Sequence, residues 1–103
     1  MKYQLVLQWE VPFPIQDMDD VVAIENLLID ELAANGEVDG HDLGSGEANI
    51  FIHTDRPENT FSALQPILAS KDLLPHTRAA YRKFDEDQYT ILWPLDLASF
   101  SIS

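Results

Sequence analysis

The sequence contains no cysteine among its 103 residues. Disulfide bonds and thiolate metal sites are therefore excluded, and the absence of cysteine is typical of a reducing compartment. No apolar run approaches the ~20 residues that a membrane helix needs, and the first residues do not form a secretory signal. We therefore expect a soluble cytoplasmic protein without a membrane partner.

Basic residues are also scarce, because six lysines and arginines stand against 18 aspartates and glutamates, for a net charge of −12. Residues 1–55 contain twelve acids and a single base, Lys2, whereas residues 56–103 contain six acids and five bases. A surface of this sign repels phosphate backbones, so we expect no nucleic-acid partner. It attracts cations and basic proteins, although surplus acid can also serve solubility alone.

The hydrophobic periodicity predicts the element order β-α-β-β-α-β-β. Apolar and polar residues alternate over residues 2–9, which predicts a first strand. Apolar residues at helical spacing follow and predict a first helix, with Asp17 as its N-cap and Gly36 at its end. A second helix is predicted to begin at Asp55, with Asp55 as its cap and Pro66 in its interior.

Four further strands follow from alternation and turn residues. Residues 37–43 and 47–54 are predicted to form a hairpin around a glycine-rich turn at residues 44–46. A closing hairpin is predicted from residues 77–84 and 89–93, with a three-residue turn at residues 85–87. That pairing puts four side chains on one face: Ala79, Tyr81, Ile91 and Trp93.

This order predicts an α+β fold, a two-layer ferredoxin-like sandwich. Two helices cover one face of an antiparallel sheet with strand order 4-1-3-2, and an extra C-terminal strand lies beyond the fourth. With 103 residues, a single domain spanning residues 1–103 is expected, in which the apolar tail of residues 94–103 docks on the domain or on a neighbour.

The central hairpin contains the densest group of polar side chains. Carboxylates and imidazoles suit ligand binding, zinc or manganese coordination, or acid–base chemistry. The predicted ligand-binding residues are Asp39, His41, Ser45, Glu47, Asn49 and His53. Two registers are open: a hairpin centred on Ser45 places both histidines on the uncovered face, and a slip of one residue turns His41 toward the core beside Ile50. The spacing matches no metal or catalytic motif, so we predict no metal site, no catalytic residue and no cofactor.

The uncovered face of the sheet is the second candidate surface. Three apolar residues, Val6, Phe51 and Leu92, interrupt its polar neighbours. A contiguous apolar patch on an uncovered sheet usually marks a contact surface. We predict a homodimer through these residues, and the alternatives are a small-ligand site between the sheet and the tail or ordinary scattered surface apolarity.

The hairpin carries a resemblance. It lies in five segments: Asp39–Asp42, Gly44–Glu47, Asn49–Ile52, Thr54–Asp55 and the closing run Tyr89–Pro94. In these segments the chain resembles a family of small uncharacterised bacterial proteins. The resemblance covers most of the chain and implies a small cytoplasmic bacterial α/β protein. It implies no activity and assigns no functional residue.

Three functions are compatible with these observations. The first is a non-enzymatic interaction or regulatory module, homodimeric, whose acidic surface on the first helix and central hairpin meets a basic protein. The second is a small ligand- or metal-binding protein or enzyme that uses His41, His53, Asp39 and Glu47. The third is an acidic inhibitor or immunity-type protein that mimics a polyanion.

Overall fold

The computed structural model describes residues 2–32, 35–44 and 46–102. Within these ranges it has eight elements: β1 (Tyr3–Glu10), α1 (Met18–Leu32), β2 (Glu37–Leu43), β3 (Glu47–Thr54), α2 (Pro57–Ser70), a 3₁₀ turn (Leu74–His76), β4 (Arg78–Lys83) and β5 (Thr90–Trp93). The predicted order of strands and helices is confirmed, and the chain is a mixed α+β fold. No helix in the described part has the length and apolar character needed to cross a membrane.

The five strands form one antiparallel sheet in the order β2-β3-β1-β4-β5. The strand order predicted from the sequence is this order, counted from the opposite edge. β1 is central and pairs with β3 along its whole length, from Tyr3 opposite Thr54 to Glu10 opposite Glu47. β1 also pairs with β4, with Val6 opposite Ala80.

The alternation in β1 divides the sheet into two faces. Leu5, Leu7 and Trp9 point to one face, which we call the core face, and all three are fully buried. They belong to one hydrophobic cluster with residues of β3, α1 and α2: Ala48, Ile50, Ile52, Val21, Ile24, Leu28, Leu32, Phe61, Leu64 and Leu68. We call the opposite side, which bears Gln4, Val6 and Gln8, the second face.

The two helices begin differently. The Asp17 carboxylate accepts a hydrogen bond from the Asp20 backbone N–H at 3.2 Å, which confirms Asp17 as a cap. The predicted Asp55 cap is wrong, because α2 starts at Pro57 after Arg56 and has no side-chain cap bond. Asp55 instead accepts from the Lys2 backbone N–H at 3.0 Å. α1 is described as far as Leu32, and residues 33–34, between Leu32 and the predicted end at Gly36, lie outside the described residues.

The closing hairpin corrects one prediction. Ile91 lies opposite Ala80, and so shares the second face with Val6 instead of the face of Ala79 and Trp93. A register shift between Ala79 and Ala80 inserts one extra residue into β5, and such a bulge reverses the alternation beyond it.

The predicted three-residue turn is also longer in the structure. β4 ends at Lys83 and β5 begins at Thr90. Arg82 Nη1 lies within hydrogen-bonding distance of the backbone oxygens of Lys83, Phe84 and Glu86, at 3.2, 3.1 and 3.0 Å. Because one guanidinium satisfies several loop carbonyls, the loop closes without a tight turn.

The C-terminal segment contacts the second face. The backbone oxygen of Ser101 accepts from Gln8 Nε2 at 3.0 Å, and the rings of Phe100 and Tyr89 lie 5.0 Å apart. Val6 and Ala80, which lie on this face, are fully buried. The tail therefore packs against the sheet of its own chain.

Candidate functional site

The central hairpin combines features of both predicted registers. His41 pairs with Ile50, and Asp42 pairs with Asn49, which is the register that turns His41 toward the core face. A bulge between Val38 and Gly40 then shifts the register by one residue, so that Glu37 pairs with His53. The two histidines therefore lie on opposite faces of the sheet, because His41 pairs with Ile50 on the core face and His53 lies three residues after Ile50 in β3, on the second face.

His41 connects β2 to α1. Its Nδ1 atom is 2.8 Å from Oε2 of Glu25, and both side chains are partly buried. The Glu25 side chain keeps 16% of its surface exposed, so this contact is more shielded than an open surface pair. This pair holds the edge strand and the helix side by side.

His53 occupies the second face. Its Nε2 atom is 3.3 Å from Oδ2 of Asp39, the residue at the bulge, and its ring meets Phe84 edge to face at 4.7 Å. Asp39 is more than half exposed, so the carboxylate faces solvent.

Glu47 and Asn49 belong to a different group at the far end of the second face. Asn49 is fully buried, and its Oδ1 accepts from Gln8 Nε2 at 3.0 Å. Glu47 Oε2 accepts from Gln8 Nε2 at 3.1 Å and from Asn49 Nδ2 at 3.2 Å. Gln8 Oε1 in turn accepts from Arg78 Nε at 2.6 Å. This network ties β3, β1 and β4 together beneath the tail.

The predicted ligand set is therefore not brought to one place. His53 lies four positions after Asn49 in β3, a distance of roughly 13 Å along a strand. His41 is on the core face, and Ser45 lies outside the described residues. Among residues 2–32, 35–44 and 46–102, no group of three or more His, Asp or Glu side chains could hold a metal ion.

Of the three predicted interface residues, two are neighbours on the second face and the third packs elsewhere. Val6 is fully buried, and Phe51, its partner in the β1–β3 ladder, is half-buried. Leu92 packs against the hydrophobic cluster of the core face instead of lying beside them. Homodimerisation stays a prediction, for which light scattering on the intact chain is the test.

α1 and β2 together carry eight carboxylates and no lysine or arginine. We define the acidic face by their carboxylates: Asp19, Asp20, Glu25, Asp30 and Glu31 of α1, and Glu37, Asp39 and Asp42 of β2. Apart from Glu25 and Asp20, these residues are exposed. No lysine or arginine occurs in the sequence between Lys2 and Arg56, so neither element offers a compensating cation.

Sequence reasoning missed the role of Gln8 and Arg78. Gln8 alternates correctly with its neighbours and reads as a solvent-facing strand residue. The sequence did not show where the apolar tail docks. Because the tail covers Gln8 and Asn49 on the second face, these buried side chains need hydrogen-bond partners, and they bind each other.

A groove lies beside this network, lined by ends of the sheet and by Pro94 and Leu97 of the tail, where the sequence left a small-ligand site as an alternative. It has a volume of about 300 Å³ and is lined by Phe13, His76, Arg78 and several prolines. The rings of Phe13 and His76 meet edge to face at 5.0 Å, and Phe13 is 67% exposed. Arg78 is already engaged, because its Nη1 is 3.3 Å from Oε1 of Glu10 and its Nε binds Gln8. The groove therefore presents no unpaired charged group from Arg78.

No protein-family model, no curated protein and no solved structure matches this chain. The resemblance of the hairpin to small bacterial proteins stays a prediction.

Proposed function

We propose that this protein is a non-enzymatic interaction module whose acidic face binds a basic protein. The observation that supports this proposal most strongly is the position of two cation-free elements side by side. The contact between His41 and Glu25 joins β2 to α1, and the sequence has no lysine or arginine between Lys2 and Arg56.

The physical advantage of such a surface is electrostatic. Carboxylates of one sign on adjacent elements add their fields, which raises the rate at which a basic partner encounters the surface. The effect weakens with added salt, because the Debye length falls to about 8 Å at physiological ionic strength. Binding through the acidic face should therefore depend steeply on salt concentration.

A pull-down with two matched variants tests the proposal. The first variant removes three exposed carboxylates of the acidic face by Asp19→Asn, Asp30→Asn and Asp42→Asn. The control removes the same charge elsewhere by Asp72→Asn, Asp85→Asn and Asp87→Asn. Glu25 is left unchanged in both, because it contacts His41.

The expected result is that the wild type and the control capture the same basic proteins, and that the first variant loses them. An equal loss in the two variants would show that net charge, and not this face, attracts the partners, and full capture by both would show that neither does. In either case the proposal would be wrong.

A finer statement about the fold belongs with this proposal. We infer that α1 and α2 cover the core face together, in the ferredoxin-like arrangement predicted from the sequence. Support comes from the single hydrophobic cluster that contains residues of both helices with Leu5, Leu7 and Trp9. The arrangement leaves β2 as an edge strand beneath α1. A cytoplasmic location, supported by the absence of cysteine, is part of the same proposal.

A further inference from the structure

The outer side of β2 is an available sheet edge. β2 is the first strand in the order and pairs with β3 on one side. In an antiparallel pair, alternate residues direct their N–H and C=O groups away from the partner strand. Across the described residues, no loop or tail forms a backbone hydrogen bond with the outer side of residues 37–43. These groups are therefore free to pair with another strand.

An apolar stripe on α1 runs alongside this edge. It consists of Met18, Val22 and Ile29, which are 41%, 37% and 51% exposed. Glu25 lies three residues after Val22 and four before Ile29, the spacings that place residues on one side of a helix. Because Glu25 contacts His41 of β2, the apolar stripe lies on the flank of α1 that is next to β2.

Charge decides which strand can occupy the edge. A second copy of this chain would place acid against acid, and like charges opposite each other destabilise a strand pair. In the β2–β3 ladder, Glu37 pairs with His53, Gly40 with Phe51 and Asp42 with Asn49. These three residues of β3 lie on the second face, so the carboxylates of Glu37 and Asp42 belong to that face. A strand carrying lysine or arginine on that face is attracted to them. Apolar residues at the alternate positions of the same strand would face the apolar stripe.

We propose that β2 accepts an added strand from a partner protein, an extended segment in which Lys or Arg alternates with apolar residues. This inference rests on the proposed function and adds the mode of binding. The bulge between Val38 and Gly40 confines regular pairing to Gly40–Leu43. Main-chain hydrogen bonds supply affinity in this mode, and the alternate side chains supply specificity.

Synthetic peptides of about seven residues, the length of β2, test the inference on the intact protein. The first peptide alternates lysine and valine. The second has the same sequence with N-methyl groups on the backbone of alternate residues, which removes strand hydrogen bonds without changing charge. A third has the same composition with its lysines and valines in two blocks. Affinity is measured by calorimetry, and hydrogen exchange is followed at His41, Asp42 and Leu43.

The alternating peptide is expected to bind and to slow amide exchange in β2. The N-methylated peptide is expected to bind about tenfold or more weakly. The block peptide should bind more weakly than the alternating one. Equal binding of the methylated and unmethylated peptides would overturn strand addition while leaving the acidic face as the binding surface. Failure of the alternating peptide to bind would also overturn strand addition, and the pull-down judges the proposed function separately.

Protein variants provide a second readout. Val22→Ser and Ile29→Ser should lower the affinity for the alternating peptide, because they remove the exposed apolar side chains of the stripe and leave the buried core unchanged. Phe13→Ser is the control, since Phe13 is also apolar and is even more exposed, but lines the groove beside Arg78 instead of the stripe. Equal losses in the stripe variants and the control would contradict the proposed site.

Discussion

His41 and His53 lie on one hairpin but on opposite faces of its sheet. His41 Nδ1 is 2.8 Å from Glu25 on the helix side, and His53 Nε2 is 3.3 Å from Asp39 on the other. The bulge between Val38 and Gly40 allows Asp39 to reach His53 although His41 is turned toward the core face. The polar residues of the hairpin therefore have two different environments. His41 contacts Glu25 of α1, whereas His53 and Asp39 form a pair whose carboxylate faces solvent.

Metal addition should leave the stability of this protein unchanged. The two histidines cannot share one ion from opposite faces, and an ion that bound the native state would raise the unfolding midpoint. Thermal unfolding with zinc or manganese in excess is the measurement. A rise in the midpoint that disappears in both His41→Ala and His53→Ala would contradict this geometry.

Gln8→Ala should lower the free energy of unfolding by about 2 kcal/mol or more, because it leaves buried partners without hydrogen bonds. Gln8 is 2% exposed and contacts Asn49, Arg78 and the tail. Gln4→Ala is the matched control on the same strand and face, and it should change stability by less than about 0.5 kcal/mol. Equal effects in chemical denaturation would show that the network does not stabilise the fold.

Thr77→Val should be similarly destabilising, although the two side chains have nearly the same shape. The Thr77 hydroxyl accepts from the buried Trp9 Nε1 at 2.8 Å and donates to the Leu73 backbone oxygen at 2.7 Å. Loss of this hydroxyl leaves the buried Trp9 Nε1 without a partner, at a cost of about 2 kcal/mol, whereas the Leu73 oxygen still accepts from the His76 backbone N–H. Thr90→Val, at an exposed position of β5, is the control and should be nearly neutral.

Phe100→Ala should loosen the tail and lower stability by about 1 kcal/mol, because its ring packs on Tyr89. Leu95→Ala, in the same segment but 87% exposed, should have no such effect. Hydrogen exchange of β1 amides reports how firmly the tail is docked, and urea denaturation reports the free energy of unfolding. If Leu95→Ala proves as costly as Phe100→Ala, the tail is not held by the contacts described here.

The elements and the strand order could be predicted from the sequence because their signals are local. Alternation in β1, the Asp17 cap and the glycines of the hairpin turn all act within a few residues. The bounds of β2 and β3 followed from the same signals and agree with the structure. Cap assignment failed at Asp55 because a distant backbone N–H, that of Lys2, competes for the same carboxylate.

The arrangement of the candidate site depended on features that no local pattern contains. The bulge at Asp39 and the bulge in β5 each move side chains to the other face, and neither has a distinctive sequence signal here. The burial of Gln8 and Asn49 depends on the tail, which begins 45 residues after Asn49 and 86 residues after Gln8 in the chain. Residue types were therefore predictable, whereas their grouping was not.

The most direct test of the central claim is an amide chemical-shift map of the isotope-labelled protein during titration with oligolysine of about eight residues at physiological salt. If the acidic face is the binding surface, the largest shifts occur in α1 and β2, and they diminish in the variant that carries Asp19→Asn, Asp30→Asn and Asp42→Asn. Shifts spread evenly over all exposed acids, including Asp85 and Asp87, would contradict the claim that this face is a binding surface.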